Sequence, residues 1–107
     1  MHRMTYDKLV RDRIPELIEE DGKTCEVSIL SPTEYLKKLD EKLNEELAEY
    51  QLSKSMEELA DLLEVIRAVA VARGSSMEEI EAIRRDKAAE RGGFEKRLLL
   101  HEVREEA

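Results

Sequence analysis

Leu36, Leu39, Leu43, Leu47 and Tyr50 recur at three- and four-residue intervals and form one stripe on a helix of about 3.6 residues per turn. After a polar break at Ser53-Lys54-Ser55, the run from Met56 to Arg73 is apolar almost all the way round. Only Glu57, Glu64 and Arg67 group as a wettable face, which predicts a central, buried helix. A break this short makes the two helices an antiparallel hairpin. Pro15 suits the first turn of a helix running to about Asp21, with Ile14, Leu17 and Ile18 as its apolar side and Gly22 as its stop. Ser31-Pro32-Thr33-Glu34 opens the long helix with a capping box, and Gly74 ends the central one. Cys25, Val27 and Ile29 alternate with polar residues at the period of a strand, and Arg97 to Val103 is a second strand candidate. Since isolated strands are unstable, the two are expected to pair. The predicted fold is mainly α: an antiparallel helical bundle around a central helix hairpin, with a small two-stranded sheet, in a single domain over residues 1–107.

The hairpin carries acids where a core belongs. Glu46 falls about 20° beyond Leu39 on the apolar stripe, and Glu49 lies on the same side. On the second helix Glu58 and Asp61 share their line with Val65, Val69 and Ala72, opposite the wettable face. Glu49 and Glu58 stand at matching distances from the turn, as do Glu46 and Asp61, so four carboxylates converge on one small volume. Buried like charges are costly unless a cation neutralises them, and all-oxygen ligands suit Mg²⁺ or Mn²⁺. The pattern therefore predicts a divalent metal site. A blander reading stands beside it, because Ser55-Met56-Glu57-Glu58 is also a capping box in which Glu58 reaches back to the backbone N–H of Ser55. Ser76-Met77-Glu78-Glu79 repeats those four residues without the flanking acids, Ala82 standing where Asp61 does, and reads as a cap alone.

Composition narrows the function classes. A net charge of −8 argues against nucleic acid or an anionic membrane as partner. The single cysteine, Cys25, excludes an internal disulfide and reads as a small, buried hydrophobe. No apolar run is long enough to span a membrane, and the N-terminus lacks a secretory pattern, so a cytoplasmic location is expected. His2 is terminal and His101 lies in a strand candidate, which disfavours a di-iron bundle with its helical Glu-x-x-His. A central helix apolar on nearly every side needs more cover than one chain provides, so a homodimer or higher homo-oligomer is expected.

Two local clusters of cations oppose the acidic balance. Lys8, Arg11 and Arg13 lie in a basic N-terminal segment, readable as electrostatic machinery or as a solvated lead-in. On the last helix the stripe of Met77, Ile80 and Ile83 is continued by Lys87 and Arg91, which either snorkel or pair with structural acids, or aim at an anion bound to the metal.

Glu45-Glu46-x-x-Glu49 followed by Glu58-x-x-Asp61 resembles the signature of the MazG-type all-α nucleoside triphosphate pyrophosphohydrolases. The stretches Tyr6-Asp7-Lys8-Leu9-Val10-Arg11-Asp12-Arg13-Ile14-Pro15 and Lys87-x-x-x-Arg91-Gly92-Gly93-Phe94 look like a small house-cleaning branch of that superfamily. The resemblance implies Mg²⁺-dependent hydrolysis of the α–β phosphate bond of a nucleotide. Glu46, Glu49, Glu58 and Asp61 would be the metal ligands, and Glu45 would support or polarise a water. Lys87 and Arg91, with Lys8, Arg11 and Arg13, would stabilise the leaving pyrophosphate. Phosphoribosyl-ATP pyrophosphohydrolase activity and a helical nucleotide-binding module without turnover are the competing readings.

Overall fold

The computed structural model describes residues 3–105, so His2 lies outside the described residues. Among the described residues four helices follow in order: α1 Ile14–Glu20, α2 Pro32–Ser53, α3 Met56–Ala72 and α4 Met77–Arg91. Two compact units divide the chain, Met1–Met77 and Glu78–Ala107.

In the first unit the helix packing is that of α2 against α3. Ser31 caps α2 by accepting the Glu34 backbone N–H at 3.2 Å, and Pro32 fills the first position, where no donor is needed. The helix runs one residue further than the polar break suggested, through Ser53. Lys54 then turns left-handed at φ 59° and closes the last turn on the Tyr50 carbonyl at 2.7 Å. Ser55 opens α3 at once, leaving a two-residue connection that forces the helices antiparallel. At the far end of α3, Gly74 takes φ +85° and the Ser75 N–H returns to the Ala70 carbonyl at 2.8 Å, a stop that favours glycine.

Leu39 and Ala70 are the buried apolar residues of the hairpin, each about fifteen residues from the turn and so level with one another. An ion pair of Arg73 with Asp40 at 3.5 Å joins the open end of the hairpin. The expectation of a buried central helix is met only along this seam. Leu63 and Val71 are half exposed, as is Leu47 on α2. Cys25 is half-buried rather than enclosed.

The two-stranded sheet is not there. Among the described residues there is no strand: Cys25–Ile29 and Arg97–Val103 both run as irregular chain, with Ile29 and Leu98 almost wholly exposed. Three alternating residues supply no hydrogen-bond partner, and a strand pair with no buried face is marginal in water. The bundle likewise reduces, in the first unit, to the hairpin itself. No helix of the described residues is long and apolar enough to cross a membrane.

With so much of α3 and α2 left half exposed, we expect self-association through these apolar faces. Sedimentation at low micromolar concentration should show a dimer or larger species; a well-folded monomer would defeat that expectation.

Candidate metal centre

Helix periodicity carries Glu46 into the seam. Its residue exposure is 7%, the only buried charged residue among those described, and its Oε2 is enclosed without a hydrogen-bond partner. Around it the hairpin brings carboxylates together in two overlapping sets. Glu46, Glu58 and Asp61 offer oxygens within 4.8 Å of one another, and Glu45, Glu46 and Glu49 do the same. The structure thus brings together four of the predicted residues around a shared Glu46, but in two sets rather than one. Glu49 groups with Glu45 on its own helix, one turn apart, while Glu58 and Asp61 meet Glu46 across the seam.

The capping alternative for Glu58 can be followed bond by bond. Its backbone N–H donates to Ser55 Oγ at 3.2 Å, so the first half of the cap is made. The second half is not, because the Ser55 N–H donates instead to Ser53 Oγ at 3.2 Å. Glu58 Oε2 is left buried without a partner. At the start of α2 the corresponding acid behaves differently: Glu34 Oε1 accepts from Ser31 Oγ at 3.0 Å. Two enclosed carboxylate oxygens lacking donors, Glu46 Oε2 and Glu58 Oε2, belong to acids whose oxygens come within coordination reach of a single ion. An uncompensated carboxylate in such a place is costly, and a hard divalent cation fits an all-oxygen set of this kind.

Cations already engage the rim of the cluster. Lys42, only 17% exposed in its side chain, lies 3.3 Å from Glu45 Oε1 and 3.4 Å from Glu46 Oε1. Lys8 reaches Glu45 at 3.6 Å, and Arg11 Nη2 donates to Asp61 Oδ1 at 2.8 Å. Arg13 instead pairs with Glu16 on α1 at 3.1 Å, away from the acids. Lys42 was not singled out by the sequence reading, although the signal was there: it stands three residues before Glu45 and four before Glu46, the spacing at which helical side chains meet.

Burial, first, and then the hydrogen bond and charge of Glu49 raise the pKa of Glu46 above its ordinary 4.5, while Lys42 pulls it back down. Lys42 therefore opposes the rise that burial and Glu49 impose on Glu46. Lys42→Met should lower stability at pH 7 by about 1–3 kcal/mol, since two acids lose a common counter-ion, and by less at pH 4, where Glu46, its pKa raised, carries less charge. Denaturant titrations at the two pH values check this.

In the second unit Lys87 and Arg91 lie on the C-terminal half of α4, both exposed rather than turned inward. Arg91 also lines a cavity of about 580 Å³ with Gly92, Gly93, Phe94, Lys96 and Arg97.

No family model matches the chain, and no solved structure matches it. Among curated proteins, an uncharacterized protein of Mycolicibacterium smegmatis (strain ATCC 700084 / mc(2)155) is similar, 57% identical over 42 residues. The match covers 39% of this chain and 43% of the relative, less than half of either.

Proposed function

We propose that the chain is a divalent-metal-dependent pyrophosphohydrolase that cleaves the α–β phosphate bond of a nucleoside triphosphate. The observation that carries the reading is the enclosed, unpartnered Oε2 of Glu46 at the point where two carboxylate sets meet. The resemblance of the split acidic motif and of both terminal motifs to the MazG-type enzymes supplies the reaction.

Glu46, Glu58 and Asp61 would hold Mg²⁺ or Mn²⁺ across the seam, with Glu49 contributing from the second set. When bound there, the ion would supply a more acidic water and offset the charge of the polyphosphate. Glu45, which pairs with Lys42 and Lys8, would support or polarise the attacking water and take up its proton. The water oxygen bonds to the α-phosphorus, and the bridging oxygen leaves with the β- and γ-phosphates as pyrophosphate. Arg11 would help to neutralise that leaving group, and the resemblance gives Lys87 and Arg91 the same role. The nucleotide is the proposed partner, the net charge of −8 arguing against nucleic acid or an anionic membrane, and the proposed location is cytoplasmic.

Pyrophosphate and nucleoside monophosphate released from a panel of nucleotides with Mg²⁺, and not in its absence, is the expected result. Phosphoribosyl-ATP as the sole substrate would move the protein to histidine biosynthesis, and binding without turnover would make it a nucleotide-binding module. Lys87→Ala and Arg91→Ala are expected to weaken kcat/KM about tenfold or more each while leaving the circular dichroism spectrum unchanged, because each removes an exposed phosphate donor. Unchanged kinetics in both would return them to a solvent role.

A further inference from the structure

The N-terminal segment crosses the hairpin and reaches acids on both of its helices. Lys8 pairs with Glu45 of α2 and Arg11 with Asp61 of α3, partners 37 and 50 residues away in sequence. Lys38 of α2 approaches the Asp7 carbonyl at 3.5 Å, and Asp7 itself is left-handed at φ 47°. Both acids belong to the carboxylate cluster, and the Arg11 contact is the shorter of the two at 2.8 Å. A divalent ion held by Asp61 would sit beside this guanidinium, and like charges at such a distance repel.

We infer that Arg11 exchanges partners during binding: it is held by Asp61 until a divalent cation claims that carboxylate, and then turns to the polyphosphate that arrives with the metal. This rests on the function proposed above and adds the coupling between its two ligands. Arg11 opposes the metal alone and favours the metal together with a phosphate anion. Metal and phosphate then strengthen one another's binding, and by thermodynamic linkage the gain is equal in both directions. The pair is open to solvent, 59% and 43% exposed in its side chains, so its hold on Asp61 is weak enough to be exchanged. The guanidinium itself suits a phosphate, which it can engage through two parallel N–H donors.

The test is calorimetric titration of the full chain with Mn²⁺ alone, and then with inorganic pyrophosphate at saturating Mn²⁺. Arg11→Ala should bind Mn²⁺ about two- to fivefold more tightly than the unsubstituted protein, the size expected for release of an exposed ion pair. Its affinity for pyrophosphate should fall by about tenfold or more. Arg84→Ala, which removes the same charge from an ion pair with Glu81 outside the cluster, should change neither constant. Mn²⁺ binding that is weaker or unchanged in Arg11→Ala would make Arg11 an orienting or inert neighbour of Asp61, and unchanged pyrophosphate affinity would deny it the phosphate; either overturns the exchange. Failure of the unsubstituted protein to bind Mn²⁺ at all would overturn the metal centre as well, and so separates the two ideas.

Discussion

Glu46→Gln should abolish metal-dependent turnover and at the same time make the metal-free protein more stable at pH 7. Both halves follow from one side chain. Glu46 is shared by the two carboxylate sets, so neutralising it removes a ligand from each. The expected loss in rate is on the order of a thousandfold, the equivalent of about 4 kcal/mol in transition-state stabilisation. The stability gain comes from its titration. Burial and Glu49 raise its pKa in the folded protein above the ordinary 4.5, so the folded state holds its proton more firmly than the unfolded chain does. Stability from this group is fully present below pH 4.5 and is lost as pH rises from there through the raised value. Glutamine never ionises, can still accept from Lys42, and can donate its amide to Glu49. Melting temperatures measured with chelator should therefore separate variant from parent at pH 7 and bring them together near pH 4. The same titration makes metal affinity in the parent rise with pH over that window, because coordination requires the carboxylate. A variant no more stable than its parent at pH 7 would show that Lys42 already offsets the cost of the buried charge.

How far the sequence carried these conclusions depended on the range of the interaction. The helices were legible because periodicity, capping residues and glycine stops are local: Ser31, Pro32, Ser55 and Gly74 each act where the pattern put them. Of the acids expected to point inward, Glu46 is buried as its place on the apolar stripe implied, whereas the Asp61 side chain stays 43% exposed at the edge of the seam. The grouping of those acids was not legible. Which oxygens come within reach depends on rotamers and on the crossing of α2 and α3, and these set Glu49 with Glu45 rather than with Glu58. Alternation at Cys25, Val27 and Ile29 misled because a strand needs a neighbour, and no short pattern reveals whether one is present. Lys42 was not legible, because a lysine one turn before the acids reads as a surface cation, yet it is more enclosed than Glu45, which it contacts.

The repeated Ser-Met-Glu-Glu gives the sharpest comparison within one molecule. Glu58→Gln should abolish Mg²⁺-dependent pyrophosphate release, whereas Glu79→Gln should leave it near the parent value. Both substitutions preserve shape and the capacity to accept a hydrogen bond, so effects through helix capping should stay within about 1 kcal/mol in either case. At Ser55 the reason is visible: the cap consists of Ser55 Oγ receiving the Glu58 N–H, a bond the side-chain change does not touch, and the Ser55 N–H is already taken by Ser53. The Glu58 carboxylate is thus free of capping work while its Oε2 is enclosed beside Glu46 and Asp61. Loss of its charge removes a ligand and also relieves repulsion within the cluster, so activity should vanish while the metal-free melting temperature holds or rises. Stabilisation by added Mg²⁺ should be seen in the parent and in Glu79→Gln and be absent from Glu58→Gln. Melting curves with and without Mg²⁺, beside a pyrophosphate assay, measure all three responses. If the two variants match in activity and in their response to the metal, Glu58 does no more than its twin at the start of α4, and the site assigned to the hairpin is wrong.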